Sequence, residues 1–310
     1  MTRIGTSELD VRPLCLGANT FGWTSDEAES HRVLDAFVDG GGDFLDTADV
    51  YSAWSDGGAG ISETIIGSWF EKSGKRDAVV LATKVGKAPG LDDLRADTIR
   101  RGVDASLQRL RTDRIDLYWA HADDEGTPLA ETLGAFDELV TAGKVRAIGA
   151  SNYSAPRLEE ALETSRREGF AGYVALQNEY HLMARAGYEE RTADVVAANG
   201  LAMVPYAALA SGFLTGKYRP GQLAESQRQA KAAAYLDDPR GPRVLAALDE
   251  AAAAHGTDVT SVALAWLAQQ DTVVAPIASA RTVEQLPTLL AAADLELTQE
   301  ELAALERASR

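Results

Sequence analysis

Short apolar runs that stop on a polar residue recur along this chain, and between them apolar positions repeat every three to four residues. The runs are Leu14–Ala18, Phe44–Thr47, Val79–Thr83, Ile115–Trp119, Ala147–Ala150, Tyr173–Gln177, Ala202–Tyr206 and Val273–Ile277. Rich in β-branched and large apolar side chains, they have the pattern of strands buried on both faces. Helical spacing predicts helices near Glu27–Val38, Ser62–Glu71, Asp97–Leu110, Leu129–Thr141, Ala155–Arg167, Glu189–Ala198, Val259–Ala268 and Val283–Ala292. Ser62 with Glu63 opens one helix and Pro156 sits in the first turn of another. Gly40, Gly143 and Gly200 fall just past helical ends, where a left-handed residue is often required.

Strict alternation of strand and helix implies a parallel sheet, and eight such units close into a (β/α)8 barrel, here expected as one α/β domain over residues 1–310. A doubly wound open sheet is the alternative. It would carry G-x-G-x-x-G after its first strand, whereas GANTFGW stands there in this chain. Two additions flank the barrel: a short hairpin within Arg3–Arg12 and a terminal helix over Thr298–Ser309. Two segments read as long loops, Ser52–Ile61 with Trp54, and Lys217–Pro242, punctuated by Pro220, Gly221, Pro239 and Gly241. Insertions after barrel strands land on the active face.

Composition narrows the function classes. Against 47 Asp and Glu there are 30 Lys and Arg, a formal charge of −17, which argues against nucleic acid or an anionic membrane as a partner. An anionic ligand must therefore be held by local cations or backbone N–H groups. Cys15 is the sole cysteine, so no internal disulfide and no thiolate metal cluster can form. No apolar run approaches the ~20 residues that span a bilayer, and the first residues lack a signal-peptide pattern. The expectation is a soluble cytoplasmic protein without a metal.

The candidate chemistry lies where the strands end. Asp46, Lys84 and His121 close or follow three successive runs, and Tyr51 follows Asp46 by five residues. Parallel neighbouring strands would bring a carboxylate, an amine, an imidazole and a phenol to one pocket, a set that moves a proton at neutral pH. Each residue alone has an ordinary structural reading: an ion pair across strand ends, a rim tyrosine, a partly buried histidine. Three consecutive strands ending in this way by accident is the poorer explanation. Lys84 beside Asp46 stays protonated, and its charge would draw the Tyr51 phenol down from ~10 toward the working range. Asp49 reads as a solvated loop acid or local cap. His31 and His255 face solvent or a helix seam, and His181, after the Gln177 strand in NEYHLMAR, is left undecided between a contact with the substrate loop and no role.

Further along, Ser151, Asn152 and Gln177 end the next two strands with donors and acceptors that suit a carboxamide. Tyr206 ends the seventh strand with a flat aromatic face. The segment Ser211–Tyr218 offers a glycine-bearing loop with Lys217 that suits a pyrophosphate. Ser279 and Arg281 precede the last helix as a monophosphate site, with an ordinary helix cap as the competing reading.

Taken together, the motifs GANTFG (Gly17–Gly22), FLDTADVY (Phe44–Tyr51), GISETIIG (Gly60–Gly67), ATK (Ala82–Lys84), DLYWAH (Asp116–His121), IGASNY (Ile148–Tyr153), LQNEY (Leu176–Tyr180), PYAALASGFLTGKY (Pro205–Tyr218) and SARTVEQL (Ser279–Leu286) resemble the aldo-keto reductase superfamily over nearly the whole chain. The resemblance implies a (β/α)8 barrel and an NADPH (NADP+)-dependent oxidoreductase acting on a small-molecule carbonyl substrate. It implies Asp46, Tyr51, Lys84 and His121 as a catalytic tetrad, with Tyr51 as general acid. By the same resemblance Ser151, Asn152 and Gln177 hold the nicotinamide amide, and Tyr206 stacks on its ring. Leu209, Ser211, Gly212 and Lys217 enclose the pyrophosphate, while Arg281 and Gln285 lie by the 2′-phosphate. One departure is visible: after VEQL, where many members have a Glu–Asn pair at adenine, this chain has Thr288 and Leu289, preceded by Pro287. Two rival functions remain open, an NADP(H)-sensing binding protein like the potassium-channel β subunits, and a Schiff-base aldolase using Lys84. Substrate choice is expected to rest on Trp23, Trp54, Trp119 and the 217–242 segment.

Overall fold

The computed structural model describes residues 1–55, 58–219, 221 and 229–310. Strands β1 (Thr2–Arg3) and β2 (Asp10–Val11) pair antiparallel as the hairpin expected at the start of the chain. The other eight are β3 (Cys15–Gly17), β4 (Phe44–Asp46), β5 (Val80–Val85), β6 (Ile115–Ala120), β7 (Val145–Ser151), β8 (Tyr173–Gln177), β9 (Ala202–Met203) and β10 (Ile277–Ala278). All their pairings are parallel, in the order β10-β3-β4-β5-β6-β7-β8-β9. Bonds from Met203 N to Thr272 O (2.8 Å), Val274 N to Met203 O (2.9 Å) and Ile277 N to Pro205 O (2.9 Å) join the two ends. The sheet therefore closes as a (β/α)8 barrel, as the alternation of patterns predicts.

Around it lie α1 (Glu27–Asp39), α2 (Ile61–Ser73), α3 (Ala96–Leu110), α4 (Leu129–Thr141), α5 (Ala155–Glu168), α6 (Ala186–Glu189), α7 (Thr192–Ala198), α8 (Gln229–Asp237), α9 (Arg240–His255), α10 (Val259–Ala268), α11 (Leu286–Ala291) and the terminal α12 (Gln299–Ser309). Side-chain caps start several of them. Asp26, Ser154 and Asp258 each accept a backbone N–H of the first turn, and Thr298 with Glu301 forms a reciprocal capping box. Among the described residues no helix is long and apolar enough to cross a membrane.

Several expectations are corrected. Gly40 has φ −79°, and the left-handed residue after α1 is Gly41 at +86°; Gly143 and Gly200 are left-handed as expected. Ser62 does not open α2. Gly60 is its N-cap, and Ser62 is buried, its hydroxyl donating to Ala18 O at 2.8 Å. The seventh strand ends at Met203 rather than Tyr206, two residues before Pro205, which has no N–H for a ladder bond. The Glu189–Ala198 helix is two helices, α6 and α7, broken at Glu190–Arg191. The last predicted helix starts as a 3-10 turn, Val283–Gln285, because Pro287 cannot donate the α-helical bond to Val283.

The largest correction concerns Lys217–Pro242, which contains all of α8 and the start of α9. Gly241 and Pro242 read as breakers in sequence. Pro242 stands in the first turn of α9, where its missing N–H costs nothing, and a side chain at Gly241 would strike Tyr235 O at 2.0 Å. Pro220 and residues 222–228 of that segment, and residues 56–57 of the Ser52–Ile61 loop, lie outside the described residues.

Alternation along each strand sorts the core into two bodies. Leu45, Leu81, Val85, Tyr118, Ile148 and Leu176 point out and pack under the helices. Phe44, Ala82, Leu117, Trp119, Ala147 and Ala175 point in, with Cys15, and fill the barrel over hairpin residues Ile4, Leu9 and Val11. Small and large residues alternate inside. Trp119 is fully buried opposite Gly149, where an added Cβ would lie 2.3 Å from the indole. Gly149→Ala is therefore expected to destabilise the protein by about 1–3 kcal/mol through overpacking, read as a lower midpoint in thermal or urea unfolding. An unchanged midpoint would show that the interior has slack at this layer.

Candidate active site

The same parity builds the site. Two residues above Phe44 is Asp46; two above Ala82 is Lys84; two above Trp119 is His121. Ser151 stands two above Gly149, and Gln177 two above Ala175. Each inward row thus changes from apolar to polar at the carboxyl end of its strand. These ends open into a cleft of about 820 Å³ lined by Asp46, Tyr51, His121, Ser151, Asn152 and Gln177, among others.

Lys84 is fully buried, and each of its three N–H bonds has an acceptor. They are the Asp46 carboxylate, Thr47 O at 2.7 Å and the Tyr51 hydroxyl at 3.0 Å. The ammonium also lies 4.7 Å from the Tyr51 ring centroid. Burial alone would lower its pKa, but Asp46 and then Tyr51 outweigh burial and hold it above the ordinary value. The second Asp46 oxygen accepts from Gln177 Nε2 at 2.9 Å. Tyr51 and His121 meet edge to face with centroids 6.2 Å apart. Burial, reinforced by Lys84 and Lys87, pushes His121 well below its ordinary pKa, so the imidazole is neutral. For Tyr51 the expected direction is corrected. Burial raises the phenol pKa more than Lys84 lowers it, and the resting side chain is a firmly protonated phenol.

A second group continues along the cleft. Asn152, at φ +58°, donates to His121 O and to Ser151 Oγ, both at 2.9 Å, and accepts from the Tyr206 hydroxyl at 2.8 Å. Leu209, Ser211, Gly212 and Lys217 line the far part. Their turn is strained: Ala207, Ala210, Ser211 and Gly212 all have positive φ, at +55°, +48°, +58° and +95°. Ser279 Oγ donates to Asn19 Oδ1 at 2.8 Å, and Arg281 N donates to Gln285 Oε1 at 2.8 Å. Lys217 packs over the Tyr218 ring, and neither Lys217 nor Arg281 has an ion-pair partner among the described residues. Two uncompensated cations on a strained, glycine-bearing cleft fit a phosphorylated dinucleotide in a chain this acidic.

The structure separates other candidates from the site. Trp119 is in the barrel interior below His121, too deep to shape substrate access, because its parity turns it inward one layer down. Trp23 lines the cleft, with the half-exposed Trp54 against it edge-on at 5.6 Å. His181 is buried, accepts from Met183 N at 3.2 Å and meets Tyr235 of α8 edge-on. His31 sits in the α1–α2 seam against Ser68. Lys87, Lys231, Asp258 and Thr260 line the cleft without having been singled out in sequence. Only Lys87 carried a signal, standing three residues past the Lys84 strand end. Thr288 and Leu289 also line the cleft.

Asp49 is not a solvated acid. It is 1% exposed, neither carboxylate oxygen has a hydrogen-bond partner among the described residues, and the nearby Tyr118 hydroxyl is likewise unmatched. Burial and then the Glu63 carboxylate raise its pKa from 3.8 to about 7, against Arg109. Glu63 in turn is held by Arg109 Nε at 2.7 Å and by the Thr83 hydroxyl.

A model of the aldo/keto reductase family matches residues 13–310. The chain is 36% identical over 308 residues to the uncharacterized oxidoreductase YrpG of Bacillus subtilis, covering 96% of this chain and 92% of that protein. It is 32% identical over 297 residues to the aldo-keto reductase yakc [NADP(+)] of Schizosaccharomyces pombe, covering 92% and 83%. It is also 30% identical over 304 residues to a probable voltage-gated potassium channel subunit beta of Arabidopsis thaliana, covering 94% and 90%.

The buried Asp49 gives a prediction with a definite sign. A carboxyl with a raised folded pKa contributes fully below pH 3.8, and its contribution is lost as pH rises through about 7. Between those limits the wild-type protein should lose on the order of 4 kcal/mol from this group. Asp49→Asn is expected to flatten that part of the stability–pH curve and to raise the unfolding midpoint at pH 8. Parallel wild-type and variant curves would show that Asp49 is ionised and satisfied.

Proposed function

Because the chain belongs to the aldo/keto reductase family, we propose that this oxidoreductase reduces aldehyde or ketone carbonyls to alcohols with NADPH. The observation that carries the reading is the saturated Lys84 ammonium between Asp46 and Tyr51 at the cleft floor. Bound NADPH supplies the hydride. The chain supplies position, field and proton.

The substrate oxygen is received between the Tyr51 hydroxyl and the His121 imidazole. His121, kept neutral by burial and two lysines, polarises the carbonyl by donating a hydrogen bond. Tyr51 gives its proton to the oxygen as negative charge develops there. The phenolate left behind faces the Lys84 ammonium at hydrogen-bond distance, and this contact offsets what burial costs the anion. Asp46 keeps Lys84 charged and aimed, and Gln177 orients Asp46.

For the cofactor, Ser151, Asn152 and Gln177 are read as holding the carboxamide, with Tyr206 beside the ring. Leu209, Ser211, Gly212 and Lys217 take the pyrophosphate, and Ser279, Arg281 and Gln285 take the 2′-phosphate. The name of the fission-yeast relative includes NADP(+), which favours the phosphorylated dinucleotide. A Schiff-base aldolase is the weaker reading, since Lys84 is protonated and its N–H bonds are all engaged. One relative is named a probable voltage-gated potassium channel subunit beta, so a binding role without turnover is the second reading, and turnover separates the two.

Tyr51→Phe is expected to lower kcat on an aldehyde at least about a hundredfold while the Kd for NADPH changes little. A variant with near-normal kcat would remove Tyr51 as the acid. Arg281→Ala should raise the Kd for NADPH at least about tenfold more than that for NADH, measured by fluorescence titration. Equal losses for both would withdraw the 2′-phosphate assignment.

A further inference from the structure

One cation near the reacting end of the cleft touches neither substrate nor cofactor in the chemistry above. Lys87 stands in the loop leaving β5 and lines the cleft with Tyr51, His121 and Trp23. It is exposed to solvent, and no hydrogen bond or ion pair holds it among the described residues. Its charge nevertheless reaches the reacting end, because it is one of the two lysines that hold His121 neutral. Among the described residues the cleft offers it no partner: of the three carboxylates that line it there, Asp46 is engaged by Lys84 and Gln177, Asp258 caps α10, and Glu284 lies in the turn after Arg281. In a chain with 47 acidic and 30 basic residues, an uncompensated ammonium beside the carbonyl site is not the residue of a general positive excess.

We propose that Lys87 is a specificity-determining residue that receives a carboxylate of the substrate, so that the enzyme prefers carbonyl compounds bearing an acid group. This rests on the reductase reading and extends it to a substrate class. Reduction leaves the carboxylate untouched, so the ion pair serves binding alone. Although the residue is exposed overall, partial desolvation of its ammonium in the cleft and then the Lys84 charge draw it below its ordinary pKa, and an arriving carboxylate relieves the second effect. Trp23 with Trp54 against it provides an apolar wall nearby, which suits a ring between the two functional groups. An aromatic formyl acid has both features.

The test compares 4-carboxybenzaldehyde with its neutral methyl ester, NADPH being saturating. Wild-type enzyme should favour the acid in kcat/KM, and Lys87→Met should lower the acid-to-ester ratio about tenfold, mainly through the KM of the acid. Lys87→Arg should restore most of the ratio and Lys87→Glu should lower it further. A ratio unmoved by Lys87→Met overturns the proposal. So does an equal loss on both substrates, which would mean that Lys87 only supports the fold or the cofactor. Calorimetric titration of benzoate into the NADP+-loaded protein gives a readout without turnover. Binding weakened by Lys87→Met supports the ion pair, and binding unaffected refutes it. If neither carbonyl compound is reduced but benzoate binding depends on Lys87, the reductase reading falls and the anion site stands.

Discussion

A buried ammonium with three acceptors is the constraint on which the rest of this structure depends. Taking Lys84 and Asp46 out of water is costly, and leaving either without the other would cost about 3–5 kcal/mol. The fold meets this demand with a carboxylate, a backbone carbonyl and a phenol from the segment Asp46–Tyr51. Register then follows. β4 and β5 must pair so that Asp46 lies beside Ala82, which puts the carboxylate within reach of the lysine two residues further on. A one-residue slip would turn the lysine out under the helices.

Tyr51 inherits its place from that pairing, and its chemistry from the balance between burial and charge. Burial makes the phenol a reluctant acid at rest, which keeps it protonated in the free protein. Lys84 opposes burial, and so would lower the cost of the anion if the proton were given up as proposed. His121 works by the reverse logic. Lys84, which favours a phenolate, also disfavours an imidazolium, and Lys87 adds to the second effect, so in the proposed reaction one electrostatic arrangement would separate the donor of a proton from the donor of a hydrogen bond. The strain that runs from Ala207 to Gly212 belongs to the other half of the cleft, where four positive φ angles turn a short stretch of backbone around the space that a dinucleotide would fill.

Much of this was legible in sequence because strand parity and strand ends are local properties. The apolar runs announced the strands, though the eighth run, Val273–Ile277, meets β10 only at Ile277, and polar residues at or just after several runs announced the rim of the barrel. What was not legible depended on contacts distant in sequence. Asp49 looked solvated because nothing local shows that α2 and β6 cover it. Trp119 looked like a mouth residue because its depth depends on Gly149 across the sheet. Helices α8 and α9 were hidden by Gly241 and Pro242, whose usual meaning is reversed in a first turn packed against Tyr235. The direction of the Tyr51 shift was missed because Lys84 was foreseen and the degree of burial was not.

The most direct test of the central claim is single-turnover hydride transfer in Lys84→Met, with NADPH pre-bound and binding measured separately on the same folded protein. The account predicts a transfer rate lowered at least about a hundredfold with the Kd for NADPH within about threefold of the wild type, because Lys84 acts on the phenol and not on the cofactor. A transfer rate within a few-fold of the wild type would contradict it.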